Sequence, residues 1–423
     1  MAGNEIQVLG AELERVASKV PTLFDRDDVF YSCIDKRPVE VISSRDMRVP
    51  LEIRPGGKFG YYDPDGGDLG RGDMPTYDKA IINSVHLKHA VEFTSKTVWS
   101  TDQNRKAVID AFKSNLASAM KEFRRNVDSQ MMGDGTGVLG TITSVSTVNN
   151  VDTYTFTTDG FGARLMRYGQ DINVYNSALT VCRTAATQES TITFYDVANK
   201  TVSVSPSIPG ATAGDLIYPS GIQMVPPVAM LGVKYHNSNA STGTWLGFDR
   251  SINPEIRANR VNGNASALTL PLPRLALNKV GDRVGISSRG AKRRQAWTHP
   301  AQQQAYEELG FNVSLINKGA SEEGLDLYFS DNMRMAGAPL KTSYSWDRTR
   351  IDFNDMDVWG RAELHPAGFY QNPDNKQRVW ELRGPSGGIA TAWVFYIVAS
   401  FNIFLNNPAA ATYIDNLGYP AGY

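Results

Sequence analysis

The clearest pattern of apolar positions lies between residues 100 and 133. Apolar side chains recur there at steps of three and four residues, the spacing of one helix face: Ile109, Phe112, Leu116, Met120, Phe123, Val127 and Met131. Ser100–Thr101–Asp102 offer an N-cap, and Gly133 is typical of the position after a last turn. The pattern predicts one helix of about 30 residues, roughly 45 Å long, which is far longer than most globular helices.

Two stretches of alternating apolar and polar residues precede this helix, Met47–Ile53 and Tyr77–Phe93. Between them, Arg54–Pro75 is dense in turn-forming residues and includes seven glycines. The pattern predicts two long strands joined by a glycine-rich loop, an extended β-arm. Because an isolated hairpin is not stable in water, the arm should lie on its own body or on a neighbouring molecule.

Residues 1–40 predict a second extended segment. A weakly amphipathic stretch, broken by Pro21, is followed by an extended arm through Phe24 and Tyr31, and neither part can form a compact core. The apolar positions of the first stretch are Ile6, Leu9, Leu13 and Val16.

From Thr141 to Gly221 the chain becomes rich in Thr, Ser and Val, in short alternating runs between turn residues. This spacing predicts a separate small β-barrel or sandwich. The predicted strands are Tyr154–Thr158, Asp171–Tyr175, Ala178–Arg183, Thr191–Asp196 and Thr201–Ser205.

The remaining sequence predicts a mixed α/β region that ends in a buried strand. Helices are expected at Leu268–Val280 and Thr298–Leu309, and the basic run Lys292–Arg294 is expected in a loop. Strands are expected at Asn312–Ile316, Leu325–Phe329, Ile351–Phe353 and Val379–Arg383. In Ile389–Leu405 the alternation has period two, which favours a buried strand over a membrane helix.

Composition narrows the function classes. The 423 residues are enough for two or three domains of about 150 residues. Forty-three basic and 44 acidic residues leave a net charge of −1, which excludes binding of nucleic acid by bulk charge neutralisation. Cys33 and Cys182 are too few for a disulfide framework and are expected to be free thiols. No signal peptide pattern is visible, so a soluble protein is expected.

Three motifs suggest chemistry, but their surroundings do not support it. Gly135–Gly140 matches the G-x-G-x-x-G dinucleotide pattern, yet a helix precedes it where a strand is required. Gly384–Gly388 matches a nucleophile elbow around Ser386, yet the pattern predicts strands on both sides. His86 and His89 should point to opposite faces of a strand. We therefore predict no enzyme, no cofactor and no metal site; the aspartates of the arm loop do not follow the EF-hand order.

The order of extended arm, glycine-rich β-arm, long helix ending near Gly133–Gly137 and mixed α/β region resembles the major capsid (coat) proteins of tailed bacteriophages. The resemblance covers essentially the whole chain and implies an α+β fold with an N-arm, an E-loop, a spine helix, a peripheral (P) domain and an axial (A) domain. The implied boundaries are 1–40 for the N-arm, 41–95 for the E-loop β-arm, 96–140 for the spine helix, 141–222 for an inserted β-barrel, 223–385 for the A-domain with the remaining P-domain, and 386–423 for the C-terminal P-domain strand and tail.

The resemblance implies a protein that self-assembles into pentamers and hexamers of an icosahedral virion shell around double-stranded DNA, which it binds weakly and non-specifically. Assembly is expected in the host bacterial cytoplasm, with a separate scaffolding protein, a portal and a possible decoration protein as partners, and without a membrane. The expected inter-subunit contacts are Arg54, Lys58, Phe59, Tyr61, Tyr62, Asp68, Arg71 and Asp73 in the E-loop, and Phe24 and Tyr31 in the N-arm.

Two alternatives stay open. An encapsulin-like nanocompartment protein would share the fold. A β-rich virion decoration or tail protein, or a glycan-binding module, would use residues 141–222 to recognise its ligand and would form a discrete monomer or trimer.

Overall fold

The structure is a computed structural model that describes residues 30–42, 46–54, 56–94, 105–156, 163–185, 190–219, 225, 229–317, 333–372, 376–383 and 389–420. Several predicted features lie outside these residues: Phe24 and the first amphipathic stretch, the N-cap at Ser100–Asp102, the strand Leu325–Phe329 and the turn Gly384–Gly388.

The described chain contains six α-helices and twenty-two short or long strands. The helices are α1 (Phe30–Cys33), α2 (Arg105–Met131), α3 (Val233–His236), α4 (Pro271–Val284), α5 (Ile286–Arg289) and α6 (Pro300–Asn317). The strands are β1 (Glu40–Val41), β2 (Asp46–Arg54), β3 (Thr76–Asn83), β4 (Val85–Thr94), β5 (Gly140–Thr141), β6 (Ser144–Val148), β7 (Val151–Thr155), β8 (Asp171–Tyr175), β9 (Ser190–Asp196), β10 (Thr201–Ser205), β11 (Leu216–Tyr218), β12 (Thr244–Trp245), β13 (Phe248–Asp249), β14 (Asn259–Asn262), β15 (Arg294–Thr298), β16 (Arg334–Met335), β17 (Ala338–Thr342), β18 (Ile351–Asp355), β19 (Trp359–Phe369), β20 (Trp380–Arg383), β21 (Ile389–Leu405) and β22 (Thr412–Asp415).

The chain divides into two compact units. The first contains the described residues up to Met47 with those of Asn83–Asp128 and Arg361–Asn402. The second contains those of Arg48–Ile82, Ser129–Gly360 and Ile403–Tyr423.

The predicted long helix is confirmed as the 27-residue α2. The side chains that the pattern assigned to its apolar face are buried wherever they are described: Leu116, Met120, Phe123, Val127 and Met131. In the first unit, the ring of Phe123 lies 6.2 Å from that of His89 on β4. One face of this helix, formed by residues three and four apart, is therefore buried, as the helical spacing predicted.

The predicted C-terminal strand is also confirmed, since β21 spans Ile389–Leu405. The first unit forms a four-stranded sheet around it, in which β21 pairs with β19, β20 and β4. Between Phe395 and Phe401 alternate side chains of β21 are buried, whereas from Phe401 to Leu405 every side chain is buried. The period-two pattern therefore indicated one buried face correctly and missed the burial of both faces at the end of the strand.

The predicted second strand of the β-arm is wrong in one respect, because Tyr77–Phe93 forms two strands. β3 ends at Asn83 and lies beside β2 in one sheet, whereas β4 begins at Val85 and pairs antiparallel with β21 in another. Ser84, only 4% exposed, separates them. Alternation continues across the break, so the pattern shows a strand conformation but cannot show which neighbour each half pairs with.

Residues 139–217 enclose an apolar core of their own. Seven strands follow the order β5-β11-β8-β9-β10-β7-β6, and the two end strands are consecutive in sequence. The N–H of Ile142 donates to the carbonyl of Asp215 at 2.8 Å, and the N–H of Thr143 donates to that of Thr155 at 2.8 Å, so the link between β5 and β6 is hydrogen-bonded to residues at both ends of the strand order. The core side chains include Tyr154, Phe156, Met166, Ile172, Val174, Ile192, Val202 and Val204.

One predicted strand of this region is wrong. Ala178–Arg183 forms a turn in which a single bridge joins Cys182 to Tyr175. The side-chain oxygen of Asn176 accepts hydrogen bonds from the N–H groups of Thr180 and Val181 at 2.8 and 3.0 Å. This local asparagine turn competes with strand pairing and prevails over the alternating pattern.

The rest of the second unit is built on the six-stranded sheet β14-β22-β18-β15-β17-β16. Its core includes buried side chains of the sheet and of α4, among them Leu277, Ala296, Phe353 and Ile414. In the interior, the guanidinium of Arg350 donates to both carboxylate oxygens of Asp352 at 2.7–3.0 Å.

Three predictions for this part need correction. The expected strand Asn312–Ile316 is the end of α6, because a short apolar run does not distinguish a strand from a buried helix. The first of the two expected helices runs Pro271–Val284, three to four residues later than predicted. The basic run is not entirely a loop: Arg294 begins β15, is 3% exposed, and donates to the carbonyl of Ala410 at 3.0 Å.

Candidate assembly site: the tip of the β-arm

The tip of the β-arm, defined here as residues 56–75, is closed at its neck by two glycines. The N–H of Gly57 donates to the carbonyl of Asp73 at 2.8 Å. A Cβ atom on Gly56 would lie 2.5 Å from the nitrogen of Pro75 and 2.7 Å from the oxygen of Asp73. Only glycine allows the two sides of the loop to approach this closely.

Beyond the neck, large apolar side chains point into solvent. Phe59 is 95% exposed, Tyr61 is 99% exposed, and their ring centroids lie 6.0 Å apart. Tyr62, Leu69 and Met74 are also exposed, by 63%, 79% and 90%. Aromatic residues and methionine are enriched in protein interfaces, and a group of them left in water indicates a binding surface.

The charged groups of the tip leave it acidic. Asp63, Asp65, Asp68 and Asp73 outnumber Lys58 and Arg71, which gives the tip a net charge of −2. The described polar contacts of these residues are all within the loop: Lys58 lies 4.0 Å from Asp73, and the carboxylates of Asp63 and Asp68 accept from the N–H groups of Asp65 and Gly70. The tip therefore presents both charge and apolar area to solvent.

The base of the arm, in contrast, is fixed to its own body. Nη2 of Arg54 donates to the carbonyl of Ile252 at 3.1 Å, and Nε lies 3.7 Å from a carboxylate oxygen of Glu255. On the other strand, the N–H of Ile81 donates to the carbonyl of Leu246 at 3.0 Å. Of the predicted contact residues, Arg54 therefore anchors the arm while the other seven E-loop residues lie on the tip.

Tyr31, the described member of the predicted N-arm contacts, lies inside the first unit and is 4% exposed. Its hydroxyl donates to Glu363 at 2.9 Å, and its ring lies 4.9 Å from that of Phe401 and 4.0 Å from the guanidinium carbon of Arg361. The ring and the hydroxyl of Tyr31 thus already have partners within the chain. An inter-subunit role for Tyr31 stays a prediction.

The glycine motif after the long helix serves packing. It runs between α2 and β5, so the strand-turn-helix order needed for a dinucleotide is absent there. Gly137 has φ +75°, and a Cβ atom would lie 2.3 Å from the ring of Tyr218. The motif lets the chain leave the helix against this tyrosine.

The two histidines of β4 do not converge on a common site. His86 is exposed and its Nδ1 lies 2.7 Å from the hydroxyl of Ser400, whereas His89 faces Phe123 of α2. Burial lowers the pKa of His89, and the nearby Glu122 opposes that shift. Among the described residues no group of three or more His, Cys, Asp or Glu side chains is placed to hold a metal ion.

Sequence reasoning missed the residues that receive the base of the arm. Leu246, Ile252 and Glu255 lie about 165 to 200 positions after their partners. Two of these contacts use backbone carbonyls, which every residue carries. Nothing in the residue pattern could therefore have indicated those two.

Comparison with known proteins gives a fold but no sequence relative. No family model matches the chain, and no curated protein is significantly similar to it. No helix within the described residues is long and apolar enough to cross a membrane.

The chain contains a long helix, a sheet around a 17-residue strand, a β-arm and an α/β region. The chain is similar to a chain of the cyanophage A-1(L) capsid asymmetric unit, with a TM-score of 0.50 and 12% identity over 91% of this chain and 90% of that one. It is also similar to the capsid of the native GTA particle (TM-score 0.43, 11% identity, 92% and 89% covered) and to a virus-like particle from Pyrococcus furiosus (0.36, 10%, 96% and 99%). The predicted capsid fold is confirmed.

Proposed function

We propose that this protein is a major capsid protein that self-assembles into pentamers and hexamers of the icosahedral shell enclosing the double-stranded DNA of a tailed bacteriophage. The capsid fold over 91% of the chain supports the proposal. The observation that carries it is the tip of the β-arm, in which Phe59 and Tyr61 are almost fully exposed although the arm is fixed at its base. In a monomer these apolar side chains would stay in water, whereas in a shell they could be buried against a neighbouring subunit.

The arm offers a contact through which subunits could form rings. A subunit that lends its arm to one neighbour and receives an arm from another makes a heterologous contact, which closes into rings when the rotation permits. Many modest contacts of this type add up through multivalency, so a stable shell does not require strong single interfaces.

Charge bears on the role toward DNA. With a net charge of −1, the chain lacks the basic surplus of a protein that condenses DNA. A container filled by a motor needs only weak, non-specific contact with its contents. We accordingly propose a place in the virion after assembly in the host bacterial cytoplasm, with a scaffolding protein, a portal and a possible decoration protein as partners, and a structural role without catalysis.

The experiment that tests the proposal is negative-stain microscopy with sedimentation of the protein, expressed alone and with its genomic neighbours. Closed shells, or rings of five and six subunits, would support it. A homogeneous monomer or trimer under both conditions would overturn it and favour a decoration, tail or glycan-binding protein acting through residues 141–222. Shells that enclose a cargo protein and no DNA in infected cells would instead favour an encapsulin-like compartment.

A further inference from the structure

A second surface of the molecule is basic, whereas the tip of the β-arm is acidic. Residues 271–293, which contain α4 and α5, carry six basic side chains and one acidic one, a net charge of +5 in a chain of net charge −1. We call this surface the α4–α5 face; its basic members, all exposed, are Arg274, Lys279, Arg283, Arg289, Lys292 and Arg293.

The basic side chains of α4 lie away from its buried side. α4 buries Ala276, Leu277 and Val280, and its exposed positions carry Arg274, Lys279 and Arg283 together with the acidic Asp282. α5 continues the surface, since a Cβ atom on Gly281 would lie 3.3 Å from Cδ of Arg289. The stem of Arg289 thus lies directly over α4.

Most of the positive charge of the α4–α5 face remains available. Lys279 donates to the carbonyl of Arg260 at 2.7 Å, and Arg283 donates to the carbonyls of Arg257 and Pro254. Carbonyl oxygens satisfy these hydrogen bonds without cancelling the charge. Arg293 is partly neutralised by its ion pair with Asp357 at 3.2 Å.

The face also carries apolar side chains in water. Ile286 is 84% exposed and Leu275 is 45% exposed. Phosphate backbones are recognised by charge and hydrogen bonding, and they provide no apolar surface for an exposed isoleucine to contact. A surface that combines cations with exposed aliphatic groups fits a protein partner that is acidic and carries large apolar side chains.

We infer that the α4–α5 face receives the tip of the β-arm from a second copy of this chain. The tip has the complementary composition, with a net charge of −2 and the exposed rings of Phe59 and Tyr61. Within its own chain the described polar contacts of the tip are all internal, so it is free to dock elsewhere. The inference rests on the proposed function and names the receiving surface.

A charge-exchange experiment tests the pairing in the full-length chain. The face variant combines R289E with K292E, and the tip variant combines D65K with D68K. Each alone should raise the protein concentration needed for shell assembly at 150 mM salt by about tenfold, because like charges then meet at the interface. Combining all four substitutions in one chain should restore assembly to within about threefold of the unmodified protein, since every reversed tip then meets a reversed face. The control R334E with K376E reverses two exposed basic side chains elsewhere and should leave assembly unchanged.

Cysteine crosslinking tests the geometry independently. In a chain with C33S and C182S, the pair Y61C and I286C should form disulfide-linked multimers in assembled shells. The matched pair Y61C and V148C should not, although Val148 is 64% exposed at the end of β6.

The outcomes separate this inference from the proposed function. If the unmodified chain never forms shells, the proposed function fails first. If shells form but the charge exchange gives no rescue and Y61C does not crosslink to I286C, only the docking inference is overturned. If R289E with K292E assembles normally yet binds a DNA duplex more weakly in a salt titration, nucleic acid occupies the face and the inference is wrong.

Discussion

Arg54, the last residue of β2, donates a hydrogen bond from its guanidinium to the backbone carbonyl of Ile252 at 3.1 Å. The contact joins residues 198 positions apart at the point where the arm leaves the body. Glu255 lies 3.7 Å from the same guanidinium, so charge and hydrogen bonding act at one place. The free part of the arm therefore begins immediately after Arg54.

Replacing this anchor should loosen the arm more than it destabilises the fold. R54A removes a hydrogen bond and an exposed ion pair, which together contribute about 0.5–1 kcal/mol. We expect a small change in the free energy of unfolding but faster proteolytic cleavage within residues 56–75. R54K keeps the positive charge beside Glu255, so its cleavage rate should lie between those of R54A and the unmodified chain. Equal cleavage rates for R54A and the unmodified chain would show that the arm is held elsewhere.

The exposed rings at the tip should matter to assembly and not to folding. F59S with Y61S changes side chains that are 95% and 99% exposed, so the free energy of unfolding should change by less than about 0.5 kcal/mol. Assembly, followed by light scattering or sedimentation, should require at least about tenfold more protein because the apolar contact is lost. V148S, at an exposed position of β6, is the control. Normal assembly of the tip variant would contradict the interface role of the arm.

Local elements could be predicted where a period repeats often enough. The repeated apolar positions of α2 and the alternation of β21 each predict their element correctly because the signal is sampled many times. Short runs fail for the same reason. Asn312–Ile316 carries too few residues to separate a strand from a helix end, and Ala178–Arg183 is decided by the side chain of Asn176.

The loop at the tip of the β-arm could be predicted from the sequence, but the residues that hold the base of the arm could not. The glycine-rich loop follows from composition, and the resemblance selected Phe59, Tyr61 and Tyr62, which the structure shows to be exposed. The receiving positions do not follow from composition, because Leu246 and Ile252 contribute backbone carbonyls. Arg294 shows the same limit: a basic run resembles a solvated loop, whereas the fold buries this guanidinium against the carbonyl of Ala410.

Two glycines with similar backbone conformations allow the cost of crowding to be separated from the cost of backbone strain. Gly137 has φ +75°, and a Cβ atom added to it would lie 2.3 Å from the ring of Tyr218. Gly169 has φ +78°, and a Cβ atom added to it would meet no other atom within 4 Å. G169A should cost about 1–2 kcal/mol for the left-handed conformation alone. G137A should cost about 1–3 kcal/mol more, because the Tyr218 ring must move. Equal losses by chemical denaturation would show that the exit from α2 tolerates a side chain.

His299 precedes α6, and its Nδ1 accepts a hydrogen bond from the N–H of Ala301 at 3.1 Å. Burial lowers its pKa to about 3, and the cations of Arg164 and Arg348 act in the same direction, opposed by Asp347. The folded chain therefore holds this histidine neutral, while the unfolded chain protonates it below the ordinary value of 6.5.

The stability that His299 contributes is present above pH 6.5 and is lost as the pH falls toward 3, by about 1.4 kcal/mol per pH unit. His236, held neutral in the interior with a pKa of about 3, adds a slope of the same sign. H299N keeps an acceptor for the N–H of Ala301 because asparagine is a good N-cap, but it cannot titrate. Urea denaturation between pH 4 and 6.5 should give H299N a slope about one proton smaller than that of the unmodified chain. Parallel curves would mean that His299 is protonated in the folded protein.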